Sequence, residues 1–313
     1  MTESTRLTPE DLRGSAGRRR KEAIVRGLFF GAASVSVIIS GLLILSLAGE
    51  AWNFLSQVDP DALRSDGWFP RRDMFDLATV VGGTLVIAGI GLAVAVPLGL
   101  GAAVYLAEYA SPRLRGILKP LLEMLASVPS VVLGFFALVV ISPTISQPAC
   151  DVLFGSSPIF SMTAAGLAVG ILITPLIASI AEDAMYAVPN SLREASYGLG
   201  AKKRTTSIRI VFPAAVSGIM AAIIVGASRA IGETMIVAMA AGGTGGSLFQ
   251  LNPCQPGQTM TAAITALATG SDRVRGADLA YPSLFFVGIM LFVFTLVLNI
   301  ISERFVRRVR LRY

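Results

Sequence analysis

The chain has 313 residues, of which 54% are hydrophobic and only 15% are charged, and its mean hydropathy is +0.70. This composition excludes an ordinary water-soluble domain and indicates a polytopic membrane protein. The sequence contains no histidine and only two cysteines, so the commonest general base and the commonest metal ligands are missing, and an enzyme is not expected.

Six apolar stretches of about 20 residues, the length that crosses a bilayer, follow one another along the chain. They are Gly27–Ala48, Ala78–Ala107, Ile117–Ile141, Ile159–Ala181, Ala214–Ala241 and Pro282–Ile301. The predicted fold class is therefore all-α, with six transmembrane helices. No signal peptide is expected, because the first apolar stretch is long enough to span and no small-residue cleavage site follows it.

The spans divide the chain into predicted regions. Residues 1–25 are polar and are expected to form a disordered tail, and residues 26–77 are expected to hold the first span and an outer loop. Residues 78–303 are expected to form the core of the protein, with a long connection at 182–213. Residues 304–313 form a basic tail.

Basic residues are distributed unequally between the two sides of this topology. With six spans both termini lie on one side, and that side collects 20 of the 26 Lys and Arg residues: seven, three, five and five in its four segments. The opposite side has five, and Arg229 lies within a span. The positive-inside rule then places both termini in the cytoplasm, and the net charge of +6 requires no nucleic-acid partner.

Polar side chains within the second and third spans are candidates for lining a path through the membrane. Thr84, Ser127 and Ser130 carry hydroxyls, although hydroxyls in membrane helices more often bond their own backbone. Glu108 and Glu123 lie near the cytoplasmic ends of their spans, where we expect a solvated or packing role.

The connection at 182–213 is predicted to contain a short helix. Ser191-Leu192-Arg193-Glu194 fits a capping box, Pro189 blocks helix ahead of it, and Gly198 and Gly200 can end the helix after two to three turns. Leu192, Ala195, Ser196 and Leu199 are then expected to share one face. Such a helix either lies on the bilayer or fits the groove of a partner.

This connection resembles the EAA loop of ABC importer permeases. The resemblance rests on Glu194-Ala195-Ser196, on Gly200 six residues after the glutamate, and on Ile210-Val211-Phe212-Pro213; Ser196 stands where the family has alanine and Phe212 where it has leucine. The resemblance implies the type I ABC importer permease fold and a coupling helix that seats in a cleft of a cytoplasmic ATPase. The residues implied in coupling are Glu194, Ala195, Ser196, Gly200 and Pro213.

Other segments resemble the phosphate importer permeases: Gly83-Thr84-Leu85, Ala107-Glu108-Tyr109, the run from Glu123 to Gly134, and Ser228 to Met235, which is similar to the PstC-type subunit. The resemblance implies a permease for inorganic phosphate in the bacterial cytoplasmic membrane. It also implies a second permease subunit of PstA type, an ATPase dimer of PstB type and an extracytoplasmic phosphate-binding protein of PstS type. The sequence has no P-loop, so no cofactor is expected in this chain, and ATP and Mg are expected on the ATPase.

Arg229 and Glu233 stand one helical turn apart in the fifth apolar stretch. Inserting a charged residue at mid-bilayer costs about 2.5 to 3.5 kcal/mol of free energy, so the pair is expected to have a functional or structural role. Helical spacing predicts that both share a face with Gly218, Ala222 and Gly226, which would leave room for a second permease subunit and a small oxyanion. We expect the Arg229 guanidinium to contact passing phosphate and Glu233 to hold the arginine. The alternative is an ion pair that serves helix packing alone.

Two features are predicted on the outer side. Cys150 and Cys254 both fall in outer loops, where an oxidising compartment permits a disulfide if the two lie within bonding distance. The run Gly242–Gly246 is interpreted either as an extracellular gate or as a flexible loop.

Three other functions are alternatives to phosphate import. A permease of the same class would carry another oxyanion, such as molybdate or sulfate. An ion-coupled secondary carrier would use Arg229 and Glu233 as an ion relay. The sequence shows no inverted repeat, and in such a carrier the short helix of the connection at 182–213 would have no purpose. A membrane enzyme has no evident catalytic residues.

Overall fold

The computed structural model describes residues 16–155, 158–243, 246–270 and 279–309. The chain divides into two units, Met1–Gly49 and Glu50–Tyr313. The described part of the first unit lies within a single helix, α1. This helix runs from Ala16 to Gln57 and continues past the boundary at Gly49.

The start of α1 corrects the predicted disordered tail 1–25. Residues 16–25 are helical, because arginine, lysine, glutamate and alanine are good helix formers and this segment leads directly into the apolar run. Residues 1–15 lie outside the described residues.

Within the described residues, six helical segments are long and apolar enough to cross a membrane, as predicted. They are Arg20–Gln57, Leu77–Tyr109, Ser130–Phe154, Met162–Tyr186, Lys203–Ile231 and Ala280–Arg304. Helix α2 (Leu77–Val104) continues as a π-helix through Tyr109, and α6 is Met162–Tyr186. Both helices lie in the main hydrophobic core. They approach closely where a Cβ on Gly166 would lie 2.7 Å from Ile90 Cβ, so glycine allows this contact.

The third span differs from its predicted range, Ile117–Ile141. Helix α3 (Pro112–Ala126) ends before Pro129, and the spanning segment consists of α4 (Ser130–Phe136), a π-helix (Ala137–Ser146) and α5 (Gln147–Phe154). A proline disfavours helix in the residue before it, so the chain turns at this point.

The fifth span is also broken where one helix was predicted. A short helix α7 (Asn190–Gly198) and α8 (Lys203–Thr206) lead through a π-helix (Ser207–Val211) into α9 (Phe212–Ile231). The chain then leaves the helix at Gly232 and resumes in α10 (Met235–Ala240). Glycine is a poor helix former, and the break therefore separates Arg229 from Glu233.

A second core, which was not predicted, is built around a small sheet. Strands β1 (Gly67–Phe69), β2 (Met74–Phe75) and β3 (Ser247–Leu248) form a small antiparallel sheet in the order β2-β1-β3, with Trp68 opposite Phe75 and Ser247. Short 3-10 turns lie at Ala62–Arg64 and Pro70–Arg72. Helices α11 (Met260–Ala268) and α12 (Ala280–Val309) complete the chain. Phe54, Trp68, Phe75 and Met260 are fully buried in this second core.

Candidate functional site

The connection 182–213 presents a short helix, α7, with one exposed side. Glu194 and Ala195 are exposed, and Leu199 at the end of the helix is 91% exposed. This side of the helix is accessible to a partner. We call Glu194, Ala195 and Leu199 the docking face.

Of the two glycines predicted to end α7, Gly200 does so. Gly200 has φ +78°, its amide donates to Tyr197 O at 2.9 Å, and the Ala201 amide donates to Ser196 O at 3.1 Å. This bonding pattern closes the helix, and glycine adopts the left-handed conformation without strain. Gly198 remains inside the helix.

Two predictions for this helix are wrong. Pro189 occupies the N-cap position and no side-chain hydrogen bond caps the helix start, so Ser191 and Glu194 do not form a capping box. The predicted shared face is also divided. Ser196 is buried and its hydroxyl lies 2.9 Å from Thr206 Oγ1, and Leu192 packs on the main core, whereas Ala195 and Leu199 are exposed. Pro213 lies in the first turn of α9.

Arg193, one residue before Glu194, pairs with Glu108 at the end of α2. Arg193 Nη2 lies 2.9 Å and Nε lies 3.2 Å from Glu108 Oε1, and the two side chains are only 13% and 3% exposed. Of the roles expected for Glu108, the solvated one does not hold. Sequence reasoning did not single out Arg193 as a partner, because 85 residues separate the two.

A second ionic cluster joins α3 to the end of α6. Glu182 is fully buried, with Arg115 Nη2 2.6 Å from its Oε1 and Lys119 Nζ 2.8 Å from its Oε2. Lys119 also pairs with Asp183, and the Arg115 guanidinium lies 3.5 Å from the centre of the Tyr186 ring. Burial opposes the charged form of Lys119, but hydrogen bonds to Asp183 and Glu182 raise its pKa above the ordinary value. The lysine is therefore charged at neutral pH and anchors α3.

Arg229 and Glu233 are close to each other but form a loose pair. Arg229 Nη2 lies 3.9 Å from Glu233 Oε2, and the side chains are 55% and 3% exposed. Glu233 Oε1 lies 3.5 Å from the Ile236 amide at the start of α10. The arginine side chain is thus more than half exposed, while the carboxylate is buried at the break between α9 and α10.

The prediction that Gly218, Ala222 and Gly226 face a second permease subunit is wrong. A Cβ on Gly226 would lie 2.7 Å from Ile177 of α6, one on Gly218 would overlap the Ala184 side chain, and Ala222 is fully buried. These small residues pack α9 against α6 of the same chain. The buried stripe continues to Ala230 and not to Arg229, because a step of four from Gly226 leads to Ala230.

The three hydroxyl candidates have different surroundings. Thr84 is buried; its hydroxyl donates to Val80 O at 2.7 Å and accepts from the Met260 amide at 3.1 Å, so it joins α2 to the start of α11. Ser127 is exposed and donates to Met124 O at 2.7 Å. Ser130 is the half-buried first residue of α4. The structure does not bring these three together with Arg229 into one cluster of hydrogen bonds.

The segment after Glu233 is held by α11. Thr261 Oγ1 donates to Glu233 O at 2.7 Å, and Thr259 Oγ1 accepts from the Ala262 amide at 3.1 Å and caps the helix. Helix α11 was not predicted, because its nine residues are too few for a membrane span. Thr259 is the signal that could have indicated it, because threonine is a favoured N-cap residue.

The two cysteines form a disulfide between α5 and the loop before α11. Cys150 and Cys254 have a Cα–Cα distance of 5.5 Å. The same loop is held to the start of α6, where the Thr163 amide donates to Pro253 O at 2.8 Å. In the glycine run, Gly242 and Gly246 have φ +81° and +112°, and residues 244 and 245 lie outside the described part of the chain.

Comparisons with known proteins agree with this architecture. The family described as "Binding-protein-dependent transport system inner membrane component" matches residues 95–311. The phosphate transport system permease protein PstC of Mesorhizobium japonicum is 29% identical over 93% of this chain and 91% of its own length. The PstC of Pasteurella multocida is 30% identical, with 90% and 89% covered. The probable ABC transporter permease protein YqgH of Bacillus subtilis is 31% identical, with 87% and 86% covered.

Solved structures show the same fold at lower identity. A chain of a bacterial ABC transporter involved in the import of the acidic polysaccharide alginate matches with a TM-score of 0.63 at 16% identity. The match covers 93% of this chain and 99% of that chain. At this identity the likeness concerns the fold alone.

Proposed function

This chain belongs to the family of binding-protein-dependent transport system inner membrane components, and we propose that it is the permease subunit of an ATP-driven importer of inorganic phosphate. It is a multi-pass protein of the inner membrane with six membrane-spanning helices. The observation that carries the substrate assignment is the similarity to PstC proteins over about nine-tenths of the chain.

The phosphate path is proposed to pass Arg229 at the break between α9 and α10. Its guanidinium is permanently charged, is more than half exposed and offers two parallel donors to phosphate oxygens. Glu233, buried beside it at 3.9 Å, limits the time that the guanidinium holds an anion. A site that releases its ion readily is a requirement of transport.

The docking face is proposed to seat in an ATPase dimer of PstB type, which binds ATP and Mg. Exposure of Glu194, Ala195 and Leu199 at the end of a membrane-spanning core supports this contact. In this orientation both termini and the ionic cluster of Glu182 are cytoplasmic, and the disulfide faces the outer compartment. A PstA-type permease subunit completes the path and a PstS-type binding protein delivers phosphate to it.

Uptake of labelled phosphate by vesicles that contain the assembled complex tests the proposal. We expect uptake that requires ATP and that excess sulfate or molybdate does not reduce. Uptake without ATP would favour a secondary carrier, and preferential uptake of sulfate or molybdate would overturn the substrate assignment.

A single substitution tests the role of Arg229. Arg229→Lys retains the charge but removes the two parallel donors, so we expect the apparent KM for phosphate to rise about tenfold. The matched control is Arg113→Lys, at an exposed arginine of α3. Equal KM values for the Arg229 variant and the native complex would reduce Arg229 to a structural role.

A further inference from the structure

We propose that the Glu108–Arg193 pair is the rigid connection through which movement of α7 reaches the membrane-spanning helices. The two are positioning residues, since neither belongs to the docking face or to the proposed phosphate path. The inference rests on the proposed function, because it assigns the step between ATPase docking and transport.

The need for such a connection follows from the size of α7. The helix has nine residues, and its docking face is exposed. Pro189 precedes it and Gly200, at φ +78°, follows it, so the backbone on either side turns sharply. A partner that pulls on this helix displaces the spans only if side chains hold the helix to them.

Arg193 provides that hold on the inner side of α7. Its Nη2 donates to Glu108 Oε1 at 2.9 Å and to Met185 O at 2.8 Å, and its Nη1 donates to Val188 O at 2.5 Å. One side chain thus joins α7 to the end of α2 and to the end of α6. A planar guanidinium suits this task, because its donors have fixed directions.

Glu108 extends the same connection towards α9. Ser207 Oγ lies 3.3 Å from Glu108 Oε2 and 3.0 Å from Lys203 O, so its single proton is shared between two acceptors. Lys203 Nζ lies 5.2 Å from the centre of the Tyr109 ring, next to Glu108. The end of α2 therefore contacts both α7 and the segment that enters α9.

Burial makes the connection stiff. Glu108 is 3% and Arg193 is 13% exposed, and separating them would leave a charge in a site with little water. The connection therefore favours movement of α7, α2 and α6 as one body over bending of the loop.

The first experiment measures phosphate transported per ATP hydrolysed in the assembled complex. Glu108→Gln keeps the shape of the side chain but removes its charge, and Arg193→Lys keeps the charge but cannot reach all three acceptors. We expect both variants to assemble and hydrolyse ATP but to transport about 2- to 30-fold less phosphate per ATP. Arg113→Lys is the control. A ratio equal to the native one, including a parallel fall of both rates, would overturn the inference.

A second experiment does not depend on the substrate. Spin labels at Tyr105→Cys and Tyr197→Cys, both exposed positions, report the distance between the end of α2 and α7. The two native cysteines are joined in the disulfide and do not take the label. We expect one narrow distance distribution that ATP does not change, and a broader one in Glu108→Gln.

The outcomes separate this inference from the proposed function. Absence of phosphate uptake by the native complex would refute the function, whereas the distance measurement would still test the connection. A distance in the native complex that changes on ATP binding, or a distribution unaffected by Glu108→Gln, would refute the connection even if phosphate is transported.

Discussion

Two of the acid–arginine pairs among the described residues, Arg229–Glu233 and Glu108–Arg193, look alike in composition and differ in structure. Arg229 and Glu233 are four residues apart, yet their charged atoms are 3.9 Å apart and the arginine is 55% exposed. Glu108 and Arg193 are 85 residues apart, and their atoms meet at 2.9 Å, with Glu108 buried and the Arg193 side chain only 13% exposed. Proximity along the chain thus gives the looser pair, and contact between distant elements gives the tighter one.

The difference follows from where the helices end. The i,i+4 rule for ion pairs assumes a continuous helix, and α9 ends at Ile231 before Glu233 is reached. The distant pair lies where the ends of α2 and α6 meet α7, and four hydrogen bonds to Glu108, Met185 and Val188 fix the arginine there. We therefore assign substrate contact to the loose pair and mechanical connection to the tight one.

The largest expected effect on stability comes from truncation at the tight pair. Glu108→Ala leaves the Arg193 charge buried without its partner, so we expect the free energy of unfolding to fall by about 3 to 5 kcal/mol. Denaturant unfolding of the purified subunit in detergent measures this change. Glu123→Ala, at an exposed glutamate of α3, is the matched control, and equal losses for the two variants would contradict the assignment.

An intermediate effect is expected where α9 packs on α6. Gly218→Ala places a methyl group against the Ala184 side chain, which has no flexible atoms to move away. We expect a loss of about 1 to 3 kcal/mol from overpacking. Gly89→Ala in α2, where a Cβ would meet nothing within 4 Å, is the control and should be neutral or stabilising. A harmless Gly218→Ala would restore the prediction that this face is open to a second subunit.

The smallest effect on stability is expected at the loose pair. Arg229→Gln removes a half-exposed charge at 3.9 Å from Glu233, and the carboxylate keeps its contact with the Ile236 amide, so we expect a loss of only about 0 to 1 kcal/mol. The same unfolding measurement applies. A loss as large as that of Glu108→Ala would show that Arg229 holds the fold together, and its assignment to the phosphate path would then fail.

The parts that sequence reasoning predicted well rest on local signals. The six spans follow from long apolar runs, and the left-handed turn at Gly200 follows from the need for a residue without a side chain. Pro129 and Gly232 are equally local signals, and each marks a break in a predicted span. The apolar runs continue across both residues, however, and therefore favour longer, unbroken helices.

The parts that were missed depend on contacts between distant residues. The pairing of Glu108 with Arg193, the pairing of Trp68 with Ser247 in the small sheet and the packing of Gly218 against Ala184 each join segments far apart in the chain. Helical periodicity placed the small residues of α9 on one face correctly, but it did not tell which neighbour that face meets.

Measuring Arg229→Lys and Glu108→Gln side by side in the assembled transporter tests the account most directly. For each variant, the apparent KM for phosphate and the phosphate transported per ATP are recorded. The account predicts a raised KM with an unchanged ratio for Arg229→Lys, and an unchanged KM with a lowered ratio for Glu108→Gln. If both variants changed the same quantity, the division between substrate contact and mechanical connection would be wrong.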